Sequence, residues 1–139
     1  MSNYIINIEQ DFESDRKAIK LVEPMIRSVK ESIPIRIEKY YNILIAVTEA
    51  VNNAIIHGNR CDLEKKVFMT VKASIDSLFV TVKDEGKGFD LETLADPRNP
   101  ENLLKESGRG VFLIREFSDK CNIKPTPKGT LVSMTFKLN

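Results

Sequence analysis

Apolar residues recur at spacings of three and four from Ala18 through Leu21, Val22, Met25 and Ile26 to Val29. That is the period of a helix with one buried face. The helical pattern sets in from Asp11, and Pro24 inside it is expected to kink or split the helix. Before it, Tyr4 to Glu9 alternates weakly and reads as an edge strand. Ser32-Ile33-Pro34 breaks the chain, and Ile35 to His57 then runs without an internal proline or glycine, which predicts a long helix. At about 100° per residue, Ile43, Val47, Ala50, Val51, Ala54 and Ile55 share one side of that helix, and Glu49, Asn52, Asn53 and His57 share the other. Gly58 stands where a C-terminal cap belongs.

Beyond a short polar connection, Val67, Met69, Val71 and Ala73 alternate with Phe68, Thr70 and Lys72. Asp76-Ser77 offers a turn, and Leu78, Val80 and Val82 resume the alternation. These runs predict an antiparallel hairpin that leads straight into Asp84-Glu85-Gly86-Lys87-Gly88. Residues 89–107 carry Pro97 and Pro100 and no regular pattern; the segment is long for an internal connection and has the character of a lid over a site. Gly108-Arg109-Gly110 then opens a short apolar helix to Phe117. Two strands, Cys121 to Lys124 and Thr130 to Leu138, follow about a turn from Pro125 to Gly129. The order predicts one α+β domain over residues 1–139, a two-layer sandwich with helices on one face of a mixed, mostly antiparallel sheet.

Composition narrows the function classes. Lys+Arg 21 against Asp+Glu 20 leaves a net charge of +1, without the basic footprint of a nucleic-acid binder. No apolar run approaches the roughly 20 residues that cross a bilayer, and the N-terminus lacks a basic region leading into an apolar signal core. Cys61 and Cys121 have neither the number nor the spacing of a zinc site or disulfide framework, and read as free thiols in a reducing cytoplasm.

The long helix carries the first candidate chemistry. A carboxylate, two amides and the chain's single histidine lie on one face, with Glu49 and Asn53 one turn apart. Such a face serves a ligand needing a base and a metal-binding oxygen, although a plain solvated face has the same composition. The six glycines bear on that choice. Glycine permits close backbone approach and positive φ, and bare amides at a helix start favour phosphate oxygens. Gly108-Arg109-Gly110 therefore has the form of a phosphate cradle, with Arg109 adding charge at a terminal phosphate. Asp84, at a strand end, suits an exocyclic amine such as that of adenine. Taken singly, D-x-G-x-G is also a plain turn, and G-x-G before a helix is as equivocal.

In this order and spacing the elements resemble the GHKL ATPase superfamily, the group of gyrase, Hsp90, histidine kinases and MutL. Glu49 to Asn59 is similar to its N box, Asp84-Glu85-Gly86-Lys87-Gly88 to its first glycine box, Ser107 to Ile114 to the second and Gly129-Thr130 to the last. Glu-Ala-Val-Asn-Asn-Ala-Ile-Ile-His-Gly, the short lid and the bare domain size most resemble the anti-sigma-factor serine kinases. The resemblance runs from about residue 35 to 139. It implies a Bergerat-type fold, ATP and Mg²⁺. By motif position it implies Asn53 as the Mg²⁺ ligand, Glu49 as general base and Asp84 as the adenine acceptor. Gly86 and Gly88 would lie close to the nucleotide, with Thr130 on the adenine side and Gly108, Arg109 and Gly110 at the phosphates. His57 matches a residue common in this group, with capping as its expected part.

The implied activity is ATP-dependent serine/threonine phosphorylation of an anti-sigma-factor antagonist (STAS) protein, together with binding of a sigma factor, by a cytoplasmic homodimer that touches neither nucleic acid nor membrane. No histidine precedes the N box in the sequence, so the phosphoacceptor helix pair of a sensor kinase is not expected there. A module that uses ATP only to switch partner binding would carry the same motifs; Glu49 favours the kinase, since a pure binder needs no base.

Overall fold

The computed structural model describes residues 4–86 and 106–138; Gly88 and all but the last two residues of the expected lid lie outside the described residues. Five strands, β1 (Ile6–Glu13), β2 (Lys66–Ala73), β3 (Ser77–Lys83), β4 (Lys120–Thr126) and β5 (Gly129–Lys137), form one sheet in the order β1-β2-β3-β5-β4. Among the described residues three α-helices, α1 (Val22–Ser32), α2 (Ile37–Asn52) and α3 (Glu106–Phe117), lie in the second layer. The α+β sandwich expected from the pattern is present. Every strand pairing among the described residues is antiparallel, so the sheet is not mixed.

The period-2 alternation becomes rows of side chains crossing the sheet. Met69, Val82 and Val132 stand in register, as do Val71, Val80 and Met134, and Ala73, Leu78 and Phe136. All nine are buried. Against these rows lie Ile43, Val47, Ala50 and Val51 of α2 together with Met25, Ile26 and Val29 of α1, in one continuous core. The apolar side assigned to the long helix is thus the buried side throughout, and burying such a face, rather than helix propensity, supplies most of a helix's stability in a protein.

Four expectations about element bounds are corrected. The edge strand does not give way to helix at Asp11. Phe12 keeps the alternation and is buried opposite Val67, and β1 pairs with β2 through Glu13. A 3₁₀ turn (Arg16–Leu21), capped by the Asp15 carboxylate accepting from the Lys17 N–H at 2.9 Å, then precedes α1. Pro24 occupies the first turn of α1, where a missing N–H removes no helical bond. The second hairpin has longer strands and a tighter turn than its glycine and prolines suggested, with Thr126 paired to Gly129.

The third correction concerns the end of the long helix. α2 stops at Asn52, and residues Asn53–Gly58 form a π-helical segment. The Asn59 N–H reaches the Ala54 carbonyl at 2.8 Å, the wider π-type closure. Gly58 is not the left-handed cap. The positive φ angles fall on Arg60 (53°) and Cys61 (58°). The fourth is that Gly108-Arg109-Gly110 lies within the first turns of α3, which begins at Glu106, not ahead of it.

Candidate functional site

The sheet's core face ends in a polar row. After Leu78, Val80 and Val82, the next helix-facing position is Asp84; after Phe136, Met134 and Val132 it is Thr130. The Asp84 N–H donates to the Thr130 carbonyl at 3.1 Å, carrying the β3–β5 ladder one step further. A carboxylate and a hydroxyl thus stand where the alternation calls for apolar groups, and they are 2% and 1% exposed. Asp84 Oδ1 accepts from the Gly86 N–H at 2.9 Å and the Thr130 N–H at 3.0 Å. Burial pushes the Asp84 carboxyl above its ordinary pKa, outweighing those two donors and the charge of Lys65. The Thr130 hydroxyl is buried without a hydrogen-bond partner among the described residues. Such a group either costs stability or awaits a ligand.

Three glycines make room for this row. A methyl on Gly58 would overlap the Asp84 carboxylate, one on Gly86 would overlap the Gly58 carbonyl, and one on Gly129 would overlap the Asp84 carbonyl. Gly129 also has φ of +141°, outside the range of L residues. The π-helical widening after Asn53 is what carries Gly58 against Asp84. The residue that looked like a helix stop is a spacer between helix and strand.

The second half of the site lies one helical turn along α2. Glu49 is half-buried and Asn53 is 5% exposed, so this face is no plain solvated one. A Cβ on Gly110 would stand 3.0 Å from Asn53 Nδ2, 3.1 Å from its Oδ1 and 3.1 Å from Glu49 Oε2. The second glycine segment therefore closes directly over the carboxylate and amide of the first motif. Gly108 lies in the first turn of α3 and Arg109 is exposed beside it. Of the expected site residues, Glu49, Asn53 and Gly110 come together at this end, and Asp84, Gly86 and Thr130 at the other. Gly88 lies outside the described residues.

The donor set suits a magnesium nucleotide. Among the described residues no group of three or more His, Cys, Asp or Glu could hold a metal ion by itself. Mg²⁺, however, commonly takes one or two protein oxygens and fills the remainder of its shell with waters and phosphates, which Asn53 Oδ1 next to a glycine-bared backbone can provide. Asn52 and His57 are half-buried neighbours on the same face.

Sequence reasoning passed over Asn59 and Ser14. Asn59 is 1% and Ser14 0% exposed. Asn59 Oδ1 accepts from the Glu85 N–H at 2.8 Å, and its Nδ2 donates to Ser14 Oγ at 2.7 Å and to the Lys66 carbonyl at 3.0 Å. The one available signal was an asparagine directly after Gly58, a residue type that usually marks a turn.

Comparison with known proteins gives the family of the chain. The family described as "Histidine kinase-like ATPase domain" matches residues 12–136. The Anti-sigma F factor of Clostridium perfringens is 37% identical over 108 residues, 74% of this chain and 76% of that protein. That of Thermoanaerobacter sp. is 34% identical over 138 residues, covering 95% and 94%. Among solved structures, the RsbU and RsbW domains of Rv1364c from Mycobacterium tuberculosis superpose with a TM-score of 0.71 at 16% identity, covering 96% of this chain and 32% of that one. The catalytic domain of histidine kinase ThkA gives 0.57 at 13%, covering 94% and 97%. These structural likenesses bear on the fold alone.

Proposed function

Because the chain belongs to the histidine kinase-like ATPase family, within its anti-sigma factor branch, we propose that it is an ATP-dependent protein serine kinase that also binds a sigma factor. The observation that carries this reading is the seating of Gly110 so near Glu49 and Asn53 that a Cβ there would stand 3.0–3.1 Å from both side chains. It supports the reading by bringing a glycine-bared backbone, a carboxylate and an amide oxygen together, which would serve phosphates and Mg²⁺, while the buried Asp84 carboxylate would accept from adenine.

Phosphoryl transfer asks a protein chiefly for positioning and charge neutralisation. Mg²⁺, when bound, neutralises charge on the phosphates, and Asn53 Oδ1 would hold it. Glu49 takes the proton of an incoming serine hydroxyl as that oxygen bonds to the γ-phosphorus and the bond to the ADP oxygen breaks. A neutral amide at position 53 leaves Glu49 free of a second carboxylate on its face. Arg109, exposed near the start of α3 and next to Gly110, would add positive charge at the phosphates. Asp84 accepts from the adenine amine, and the Thr130 hydroxyl finds there the partner it otherwise lacks. The phosphoacceptor in this reading is a STAS-type antagonist, and the working form is a homodimer, which sedimentation would test.

Incubation with labelled ATP, Mg²⁺ and a STAS protein tests the proposal. Label on a partner serine is the expected result. Tight nucleotide binding without label would replace the kinase with an ATP-switched binding module. No binding near millimolar ATP would end both readings.

A further inference from the structure

We infer that Asn59 is a positioning residue for the nucleotide base, holding the Asp84 corner in place through the Glu85 backbone. The inference rests on the ATP reading and deepens it.

The local chemistry leaves Asn59 one orientation. The Lys66 carbonyl can only accept and the Glu85 N–H can only donate, so Nδ2 faces the first and Oδ1 the second. Its two amide hydrogens are used by Ser14 Oγ and the Lys66 carbonyl. Ser14 passes its own hydrogen to the Lys65 carbonyl at 2.6 Å. The backbone of Asn59 is used as well, its N–H by Ala54 and its carbonyl by the Asp62 N–H. A fully satisfied buried network of this kind fixes one geometry and tolerates few others.

Its location gives the network a function beyond packing. Nδ2 is anchored to the end of β1 and the start of β2, the rigid sheet. Oδ1 holds the single N–H between Asp84 and Gly86, both of which shape the base end of the pocket. Asn59 also follows Gly58, whose Cα region touches the Asp84 carboxylate. The last turn of the π segment therefore grips the corner at two adjacent points, one by contact and one by hydrogen bond. Asp84 is the group that would distinguish one base from another, and Asn59 sets where it stands.

The two ends of the Asn59 amide can be separated by experiment. Calorimetric binding of ATP and of inorganic tripolyphosphate, each with Mg²⁺, is measured on the full chain. The second probe reads the phosphate end alone. Asn59→Ala should weaken ATP by about tenfold, the fold-change for losing one buried hydrogen bond, and leave tripolyphosphate unchanged. Ser14→Ala keeps the Glu85 bond, so its ATP-to-tripolyphosphate ratio should stay within about twofold of wild type even as its melting temperature falls. A purely structural role predicts that Asn59→Ala moves both probes together or neither; that outcome overturns the inference. Should Asn59→Ala fail to fold, amide exchange in the wild type decides. The Glu85 N–H should be protected to the degree of β3 amides without nucleotide, and exchange as fast as an exposed turn would overturn the assignment. Absence of ATP binding by the wild type would instead remove the functional reading itself, whereas binding with an unmoved ratio removes the role of Asn59 alone.

Discussion

The two ends of the site are built on opposite plans. The base end is locked mainly by backbone, with Gly58 alone set against a side chain, that of Asp84. Asp84 and Thr130 continue two neighbouring strands, Gly58, Gly86 and Gly129 leave no space for a side chain, and Asn59 ties the corner to the sheet. The phosphate end is assembled from segments far apart in sequence, with Gly110 of α3 set against Glu49 of α2 and Asn53 of the π-helical segment. Backbone-on-backbone contact admits almost no adjustment; contact with a Glu or Asn side chain admits some, through rotamer change. On the proposed reading, recognition of the base would belong to the part of the fold that changes least, and the reacting phosphates would meet the part that can adjust.

The comparison can be broken most sharply at Glu49. Glu49→Ala should lower phosphate transfer by about 10²–10⁴-fold with ATP affinity unchanged, as read by transfer rate and calorimetry. Transfer at the wild-type rate would remove Glu49 as base. Asp84→Asn should weaken ATP by about 10–100-fold, the range for a lost hydrogen bond to a charged group; unchanged affinity would displace Asp84 from the base end.

Asp84→Asn also carries a pH signature. The folded pKa of Asp84 lies above 3.8, because burial disfavours its charge. The native state therefore holds this proton more tightly than the unfolded chain. That contribution is complete below 3.8 and is lost as pH rises through the raised folded value. An asparagine can still accept from the Gly86 and Thr130 N–H groups and carries no charge. The decline owed to this carboxyl should be absent from the variant, read as the difference between the two denaturation midpoints narrowing as pH falls toward 3.8.

Glycine substitutions sharpen the contrast between the ends. Gly129→Ala combines an unfavourable φ with overlap on the Asp84 carbonyl, and should cost about 1–3 kcal/mol in thermal or urea unfolding. Gly110→Ala meets side chains at 3.0–3.1 Å that can change rotamer, and alanine is the better helix former, so it should cost less than about 1 kcal/mol while impairing transfer. Equal losses of stability would show that the two ends are equally rigid.

The smallest effect lies outside the site. Lys39 Nζ meets Asp119 Oδ2 at 2.6 Å, and the Lys137 N–H donates to the same oxygen at 2.7 Å, tying α2 to the sheet. Burial pushes the Asp119 carboxyl upward, but these two donors and the charges of both lysines together bring it below its ordinary value. The resulting stability is present above 3.8 and is lost as pH falls through the folded value. Lys39→Met should cost no more than about 1 kcal/mol, screened by salt, and should shrink the acid-side decline.

The sequence was most informative where a residue's part depends on its near neighbours. Val67 to Ala73 and Leu78 to Val82 alternate because each strand has one buried face, and α2 repeats at three and four for the same reason. Glu49 and Asn53 could be paired from spacing alone. Gly58 could not be read correctly, because a helix cap and a spacer under a distant carboxylate require the same residue, and only the position of Asp84 decides between them. Asn59 was hidden likewise, since its partners are 45, 26 and 7 residues away. The early helix from Asp11 failed because Phe12 satisfies either period, and the pairing with β2 settles it. Asp84 itself was visible as the next step after Leu78, Val80 and Val82, a polar residue in an apolar series.

That polar row has a consequence for the lifetime of the chain in a cell. The core is complete for three rows and ends in a fourth with a buried carboxylate and an unmatched hydroxyl. A nucleotide bound as proposed, supplying the missing contacts, would act as the final piece of the core. At a concentration of one hundred times its dissociation constant it would add about 2.7 kcal/mol to the folded state, lowering the unfolded population by about a hundredfold. Proteases that act on opened chains sample that population. Abundance of this protein would then follow the nucleotide supply, with starvation shortening the half-life of any molecule left without its ligand.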